Sequence, residues 1–275
     1  MAQPEFGTYA PSFWVKVLLG LSQNTLLGRG KARRWMSARL QHAHQGPLDA
    51  HLWQQPARIH VGSNNNELKA LLNPTSFNKA ELQTLRAYLP RRGGVFVDIG
   101  ANVGMMSLAA RAHLETGTIV SIEPQPAMFE RLAFNLVDAG EQSGVTHKLV
   151  QAAIGPTVGE ANLAIPSQPG MATLAEAASS VGQTVAVAVL PLEKVCRDQA
   201  VDTIDVMKID VEGYEDQALL PFFESAPRTL WPRVIIMEHC HSKRWSSDVI
   251  AALQGEGYAQ LRRDRQNICL ELAKS

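Results

Sequence analysis

Apolar residues in this chain fall into short runs separated by glycine, proline and polar clusters, and the period of the runs identifies the elements. From Asn78 to Leu89, Leu82, Leu85 and Leu89 recur on one helical face. Asn78 with Glu81 three residues on has the form of a capping box, so the stretch predicts a helix stopped by Pro90 to Gly94. Val95 to Ile99 is apolar except for Asp98 and predicts a strand, and Met105 to Ala112 predicts the helix after it. Thr118 to Ile122 predicts a second strand. Pro126 opens a helix to about Ala139 that Gly140 ends, and Thr146 to Ile154 contains a third strand. Ile204 to Asp210 and Arg233 to Glu238 supply the fourth and fifth. Strands alternating with helices predict a parallel, doubly wound α/β sheet covered on both faces. Tyr258 to Arg262 and Asn267 to Leu272, turned by Arg263 to Gln266, predict an antiparallel hairpin at the end of the chain.

Two regions depart from this rhythm. Residues 1 to about 55 hold Trp14, Trp35, Trp53 and a basic cluster of Arg29, Lys31, Arg33, Arg34 and Arg39, with short helices broken at Gly20, Gly28 to Gly30 and Gly46-Pro47. The cluster reads first as the solvated face of a helical cap, and second as a surface for an anionic partner. Ile59 to Val61 and Leu68 to Leu72, flanking Gly-Ser-Asn-Asn-Asn, predict a small hairpin. The expected division is an N-terminal cap over 1–74 and a main domain over 75–275. Residues 155 to 184, rich in Gly, Ala, Ser and Pro, read as a lid or a surface excursion, and Val185 to Leu190 as an added strand.

Composition narrows the class. With 275 residues, 45% hydrophobic and 19% charged, and a formal net charge of zero, the chain has ample core and no global basic excess for nucleic acid. Cys196, Cys240 and Cys269 are odd in number and far apart, which predicts free thiols and a reducing, cytoplasmic setting. Phe13 to Leu21 carries Lys16 and is too short to span a bilayer, so neither a transmembrane segment nor a signal peptide is expected. Assembly into homo-oligomers is left open.

Ligands of doubly wound sheets sit beyond the carboxyl ends of the strands. The first strand delivers Asp98, Gly100, Asn102 and Gly104. Its Gly-x-x-x-Gly spacing is not the dinucleotide fingerprint Gly-x-Gly-x-x-Gly, and Asp98 would repel a phosphate. An ammonium-bearing amino-acid tail suits that loop, and S-adenosylmethionine (SAM) has one. The second strand delivers Glu123 and Pro124, an acid placed for ribose hydroxyls. The third delivers Gln151, Ala152 and Ala153, the fourth Asp210, Glu212 and Glu215, and the fifth Glu238, His239 and His241. The carboxylates and His239 are candidates for a general base or for a divalent cation, the latter not expected because a third firm ligand is missing.

Val97-Asp-Ile-Gly-Ala-Asn-Val-Gly104, Ser121-Ile-Glu-Pro124, Lys208-Ile-Asp-Val-Glu-Gly-Tyr-Glu215 and Ile235-Ile-Met-Glu238 together resemble the FkbM family of SAM-dependent methyltransferases over about residues 75 to 272. The resemblance implies a class I methyltransferase fold: a Rossmann-like, mostly parallel seven-stranded sheet ending in the antiparallel hairpin. It implies that the loop of Asp98, Gly100, Asn102 and Gly104 holds the methionine part of SAM and Glu123 its ribose; Pro124, Gln151 and Ala153, at the same strand ends, are expected to join the cofactor contacts. It implies that the Asp210 to Glu215 block lines the acceptor site; from their places at the strand ends, catalysis is expected of Asp210, Glu212 or His239, and acceptor contacts of Glu215, Glu238 and His241. Asn135 matches a further family position, and Leu192-Glu193 departs from the family's Leu-Asp. The implied reaction is methylation of a hydroxyl on a sugar, polyketide or other secondary-metabolite acceptor, a small molecule or glycan. The rival readings are an N-methyltransferase, a non-catalytic SAM-binding protein and a nicotinamide-dependent oxidoreductase.

Overall fold

A computed structural model describes residues 3–23, 25–62, 65–140, 143–165, 173–174 and 183–273. Helices α1 (Phe13–Ser22) and α2 (Gly30–Ala43) lead into a hairpin of β1 (Gly46–Leu52) and β2 (Gln55–Val61), then α3 (Asn65–Leu72) and α4 (Lys79–Tyr88). The alternating part follows as β3 (Gly94–Ile99), α5 (Met105–His113), β4 (Gly117–Ile122), α6 (Pro126–Ala133) with a π-helical continuation over Phe134–Asp138, and β5 (Val145–Val150). Next come β6 (Ala153–Ile154), β7 (Gly159–Ile165), β8 (Thr173–Leu174), β9 (Gln183–Leu190) and α7 (Leu192–Asp198). The chain finishes with β10 (Val206–Ile209), α8 (Glu215–Ser225), β11 (Val234–Glu238), α9 (Val249–Gly255), β12 (Tyr258–Arg263) and β13 (Asn267–Leu272).

Seven strands form the main sheet in the order β12-β13-β11-β10-β3-β4-β5. β3, β4, β5, β10 and β11 are parallel, and β13 runs antiparallel between β11 and β12. This order, with the hairpin inserting its second strand beside β11, is the class I methyltransferase sheet. The chain leaves β3 toward β4 and β5, then returns to build outward from the other side through β10 and β11. The order therefore reverses between β3 and β10, where a crevice opens for a ligand. Strand alternation sends Phe96, Ile119, Val234 and Ile236 into one core layer and Val97, Val120, Ile235 and Met237 into the other. The first layer is continuous with Val15, Leu40, Leu52 and Ile59 of the N-terminal elements. Among the described residues, 155–184 contain β7, β8 and the start of β9. These pair with β6 in a second sheet, order β6-β9-β7-β8. The rest of the expected lid lies outside the described residues.

Three local expectations are corrected. Residues 68–72 are helical, because Leu68, Leu71 and Leu72 sit at helical spacing and are buried together. β2 pairs instead with β1, turned by Trp53 and Gln54 at φ 49° and 67°. Gly20 does not break α1, which runs through it on the exposed side. Asn78 does not cap α4 with its side chain: it sits at φ 35°, and the Glu81 carboxylate, buried, accepts from Asn267 Nδ2 instead.

Candidate active site

The loop after β3 is shaped by glycines. Gly100 and Gly104 sit at φ 75° and 89°, and Asn102 between them at φ 53°. A Cβ on Gly100 would lie 2.0 Å from the Asp210 carbonyl oxygen. Only a bare backbone therefore lets the β3 and β10 loops touch. The Gly100 and Ala101 amides donate to the Ile122 carbonyl at 3.0 Å, and Asn102 folds its Oδ1 back onto the Val103 amide at 2.9 Å. Asn135, fully buried in the π-helical turn, donates to the Val103 carbonyl at 2.9 Å and accepts from the Arg58 amide at 2.7 Å. That side chain ties the loop to β2.

Asp98 stands at the floor of the crevice. Its Oδ2 accepts from Ser107 Oγ at 2.6 Å, and its buried Oδ1 has no partner among the described residues. Burial raises its pKa, and the nearby Lys208 ammonium opposes the rise. Lys208 is directly opposite Asp98 in the β3–β10 register and donates to Asp210 Oδ2 at 3.2 Å. Burial works against the Lys208 charge, but Asp210 and Asp98 outweigh it and hold the pKa above its usual range. Glu123, at the tip of β4, accepts the Asn102 amide on Oε2 and the Gln125 amide on Oε1, both at 2.9 Å. Each oxygen keeps a second lone pair for a ligand hydroxyl. Burial pushes its pKa up to about 7.

The wall opposite is the turn after β10. Glu212 at φ 56° and Gly213 at φ 101° bend it back on itself. Glu212 Oε2 meets His241 Nε2 at 3.1 Å. Burial first, then the Asp210 charge, raises the Glu212 pKa. Behind them Glu238 buries an Oε2 that has no partner among the described residues, and burial with the Asp210 and Glu212 charges pushes its pKa up to about 8. Ligand atoms of Asp210, Glu212 and Glu238 lie within 4.8 Å of one another, as do those of Glu238, Cys240 and His241. These are the described residues that could share a proton or hold a divalent cation.

Of the residues singled out in the sequence, the crevice is lined by Asp98, Gly100, Asn102, Glu123, Pro124, Ala152, Ala153, Asp210 and Glu212. The others stand back from it. Gly104 caps α5 against Leu132. Gln151 is exposed beyond β5. Glu215 accepts the Val211 and Gly213 amides at 3.2 Å and Trp245 Nε1 at 2.6 Å, so its carboxylate braces the β10 turn. His239 Nε2 donates to the Asp264 carbonyl at 3.0 Å, an acceptor that fixes the proton on that nitrogen. Tyr214, within the expected acceptor block, lines the crevice, and so do Lys208, Phe77 and Asn66, to which the sequence pointed no role. The signal for Lys208 was present: a lysine inside a buried strand requires an acid close by.

The sheet order and a glycine-and-carboxylate crevice at its reversal point define a methyltransferase of class I. Residues 98–259 match the Methyltransferase FkbM domain, and the chain belongs to that family. It is 28% identical over 200 residues to the methyltransferase sdnD of Sordaria araneosa, covering 62% of this chain and 74% of that protein. It is 26% identical over 214 residues to the 31-O-demethyl-FK506 methyltransferase FkbM of Streptomyces tacrolimicus, covering 65% and 79%. Among solved structures, a methyltransferase-like protein of Silicibacter pomeroyi superposes with a TM-score of 0.43 at 18% identity, covering 72% of this chain and 88% of that one.

Proposed function

We propose that this chain is a SAM-dependent O-methyltransferase acting on a hydroxyl of a small-molecule or glycan acceptor. The observation that carries the reading is the orphaned, buried Oδ1 of Asp98 in a crevice shared with Glu123. Buried acceptor oxygens are almost always hydrogen-bonded, so this one is open to a donor from a ligand, and an α-ammonium supplies one. Asp98 and the Gly100–Asn102 backbone would hold the amino-acid tail. The spare lone pairs of Glu123 would hold the ribose hydroxyls, and Ala153 and Ile154 offer apolar wall. SAM brings an electrophilic methyl group that already has a good leaving group.

What the protein adds is position and a proton acceptor. An alcohol oxygen becomes a competent nucleophile only as its proton leaves, and a placed base contributes roughly 10²–10⁴-fold. Glu212 fits that role best. It lines the crevice, its raised pKa favours taking a proton, and its strained backbone conformation is held by the turn rather than relaxed. The proton passes from the acceptor hydroxyl to the Glu212 carboxylate, and half-exposed His241 at 3.1 Å carries it on toward solvent. Asp210, fixed on Lys208, orients the acceptor. The relative named as a 31-O-demethyl-FK506 methyltransferase supports oxygen as the accepting atom.

The test is incubation of candidate acceptors with methyl-labelled SAM, read by mass spectrometry. The label is expected on an oxygen. Glu212→Gln should lower kcat by about 10²–10⁴-fold while SAM affinity stays unchanged. Label on nitrogen, with a Glu212→Gln enzyme as fast as the wild type, would overturn the assignment.

A further inference from the structure

The basic N-terminal cluster has no part in the crevice, and it stands among exposed apolar side chains. Seven of the ten large hydrophobic residues exposed among the described residues lie between positions 13 and 35. They include Phe13, Trp14 and Leu21 on α1, Leu26 and Leu27 in the 3-10 turn after it, and Trp35 on α2. Trp14 is 71% and Leu26 79% exposed, values unusual for side chains of this size.

α1 is apolar on two sides. Val15, Leu19 and Ser22 face the core, whereas Phe13, Val17 and Leu21, four residues apart, form with Trp14 a second stripe turned outward. A helix that needed only to cover the core would carry polar residues there. The charge is equally one-sided. Residues 6–48 contain Lys16, Arg29, Lys31, Arg33, Arg34 and Arg39 and no Asp or Glu, in a chain of zero net charge. No ion pair found among the described residues involves these six, and Arg39 lies over the Trp35 ring at 5.2 Å.

We propose that α1, the following turn and α2 form a platform that docks the protein onto a lipid surface bearing anionic headgroups. Trp, Phe and Leu would enter the headgroup boundary, and the Arg and Lys side chains would meet the phosphates, a combination that single-sign charge and apolar area favour together. The charge complementarity decides the occupant. A second copy meeting this face through a two-fold axis would set six cations against six. A nucleic acid would satisfy the cations but leave Leu21, Leu26 and Leu27 in water. No helix among the described residues is long and apolar enough to cross a membrane, so the contact lies on the surface. α1 and α2 both pack on α3, whose Asn66 lines the crevice, so the platform and the site share an element.

The test is co-sedimentation of the full chain with extruded vesicles of phosphatidylcholine containing about 30% phosphatidylserine, against pure phosphatidylcholine vesicles, at about 0.1 M and about 0.5 M salt. The wild type should pellet with the anionic vesicles at low salt, bind pure phosphatidylcholine at least about tenfold more weakly, and weaken as salt rises. Phe13→Ser with Trp14→Ser should cost at least about tenfold in partitioning, and Arg29→Glu with Lys31→Glu and Arg34→Glu about a hundredfold. Trp14→Ser alone provides a minimal surface change, and an unaltered melting temperature shows that each variant is folded. Wild-type protein left in the supernatant, or equal binding to both vesicle types, overturns the proposal. So does a solution dimer that Trp14→Ser dissociates, or a duplex oligonucleotide bound more tightly than the vesicles. None of these readouts depends on methyl transfer, so failure here leaves the proposed activity standing.

Discussion

Gly100 is the residue on which the crevice geometry turns most sharply. Its φ of 75° is costly for any side chain, and the Asp210 carbonyl occupies the place of a Cβ. Gly100→Ala should therefore cost about 2–4 kcal/mol of folding stability from the left-handed backbone and the overlap combined, measured by urea unfolding. A variant within 0.5 kcal/mol (roughly the noise of a surface change) would mean that the two loops separate easily. At this scale the sequence was legible where one residue type has one use. Glycines beside an acid after an apolar strand mark a ligand loop. It was less legible for carboxylates. Glu212 and Glu215 look alike in sequence, yet one lines the crevice and the other braces three donors of the turn. Lys208 escaped a role because its partners, Asp98 and Asp210, meet it only through strand pairing and its own return bend.

The elements that position the site are joined by few, buried bonds. Asn135 spans from the β2 backbone to the β3 loop inside the π-helical turn, a helix distortion common near functional sites. Asn135→Ala leaves the Arg58 amide and the Val103 carbonyl unpaired in the interior, at about 1–3 kcal/mol each. Chemical denaturation should show a loss of about 2–6 kcal/mol from the two together, and Asn135→Asp, which keeps the acceptor, should lose less. Equal stability in all three proteins would show that water reaches the turn. The long alternating elements were readable because apolar runs, a Pro start and Gly stops agreed. The β1–β2 hairpin was not, since Trp53-Gln54 carries none of the usual turn residues and is forced into left-handed geometry by the strands it joins. The helix α3 was masked by asparagines that read as a turn.

Across the whole molecule, buried titratable groups oppose one another. Burial pushes Glu123 and Glu238 up to about 7 and about 8, so the folded chain binds more protons than the unfolded one above the ordinary carboxylate value of 4.5. Their contribution is complete at low pH and is lost as pH rises to the folded values. Burial pushes His60 and His147 down to about 4, so stability missing at low pH returns as pH approaches 6.5. The two effects offset below pH 6.5. Above it the histidines are neutral in both states, and the carboxyls alone remain. Stability of the ligand-free protein should fall between about pH 6.5 and 8 by about 1–2 kcal/mol, allowing for solvent at the half-buried Glu238. Unfolding titrations across that range check it, and a rise instead of a fall would contradict these protonation states.

The central claim, that the β3–β10 crevice holds SAM by Asp98 and Glu123, meets its most direct test in calorimetric titration of the wild type, Asp98→Ala and Glu123→Ala with SAM. Each substitution removes an acceptor from a buried donor, at about 1–3 kcal/mol, so the account predicts wild-type binding and affinities weakened by roughly 5- to 150-fold in each folded variant. Undiminished affinity in both would contradict it.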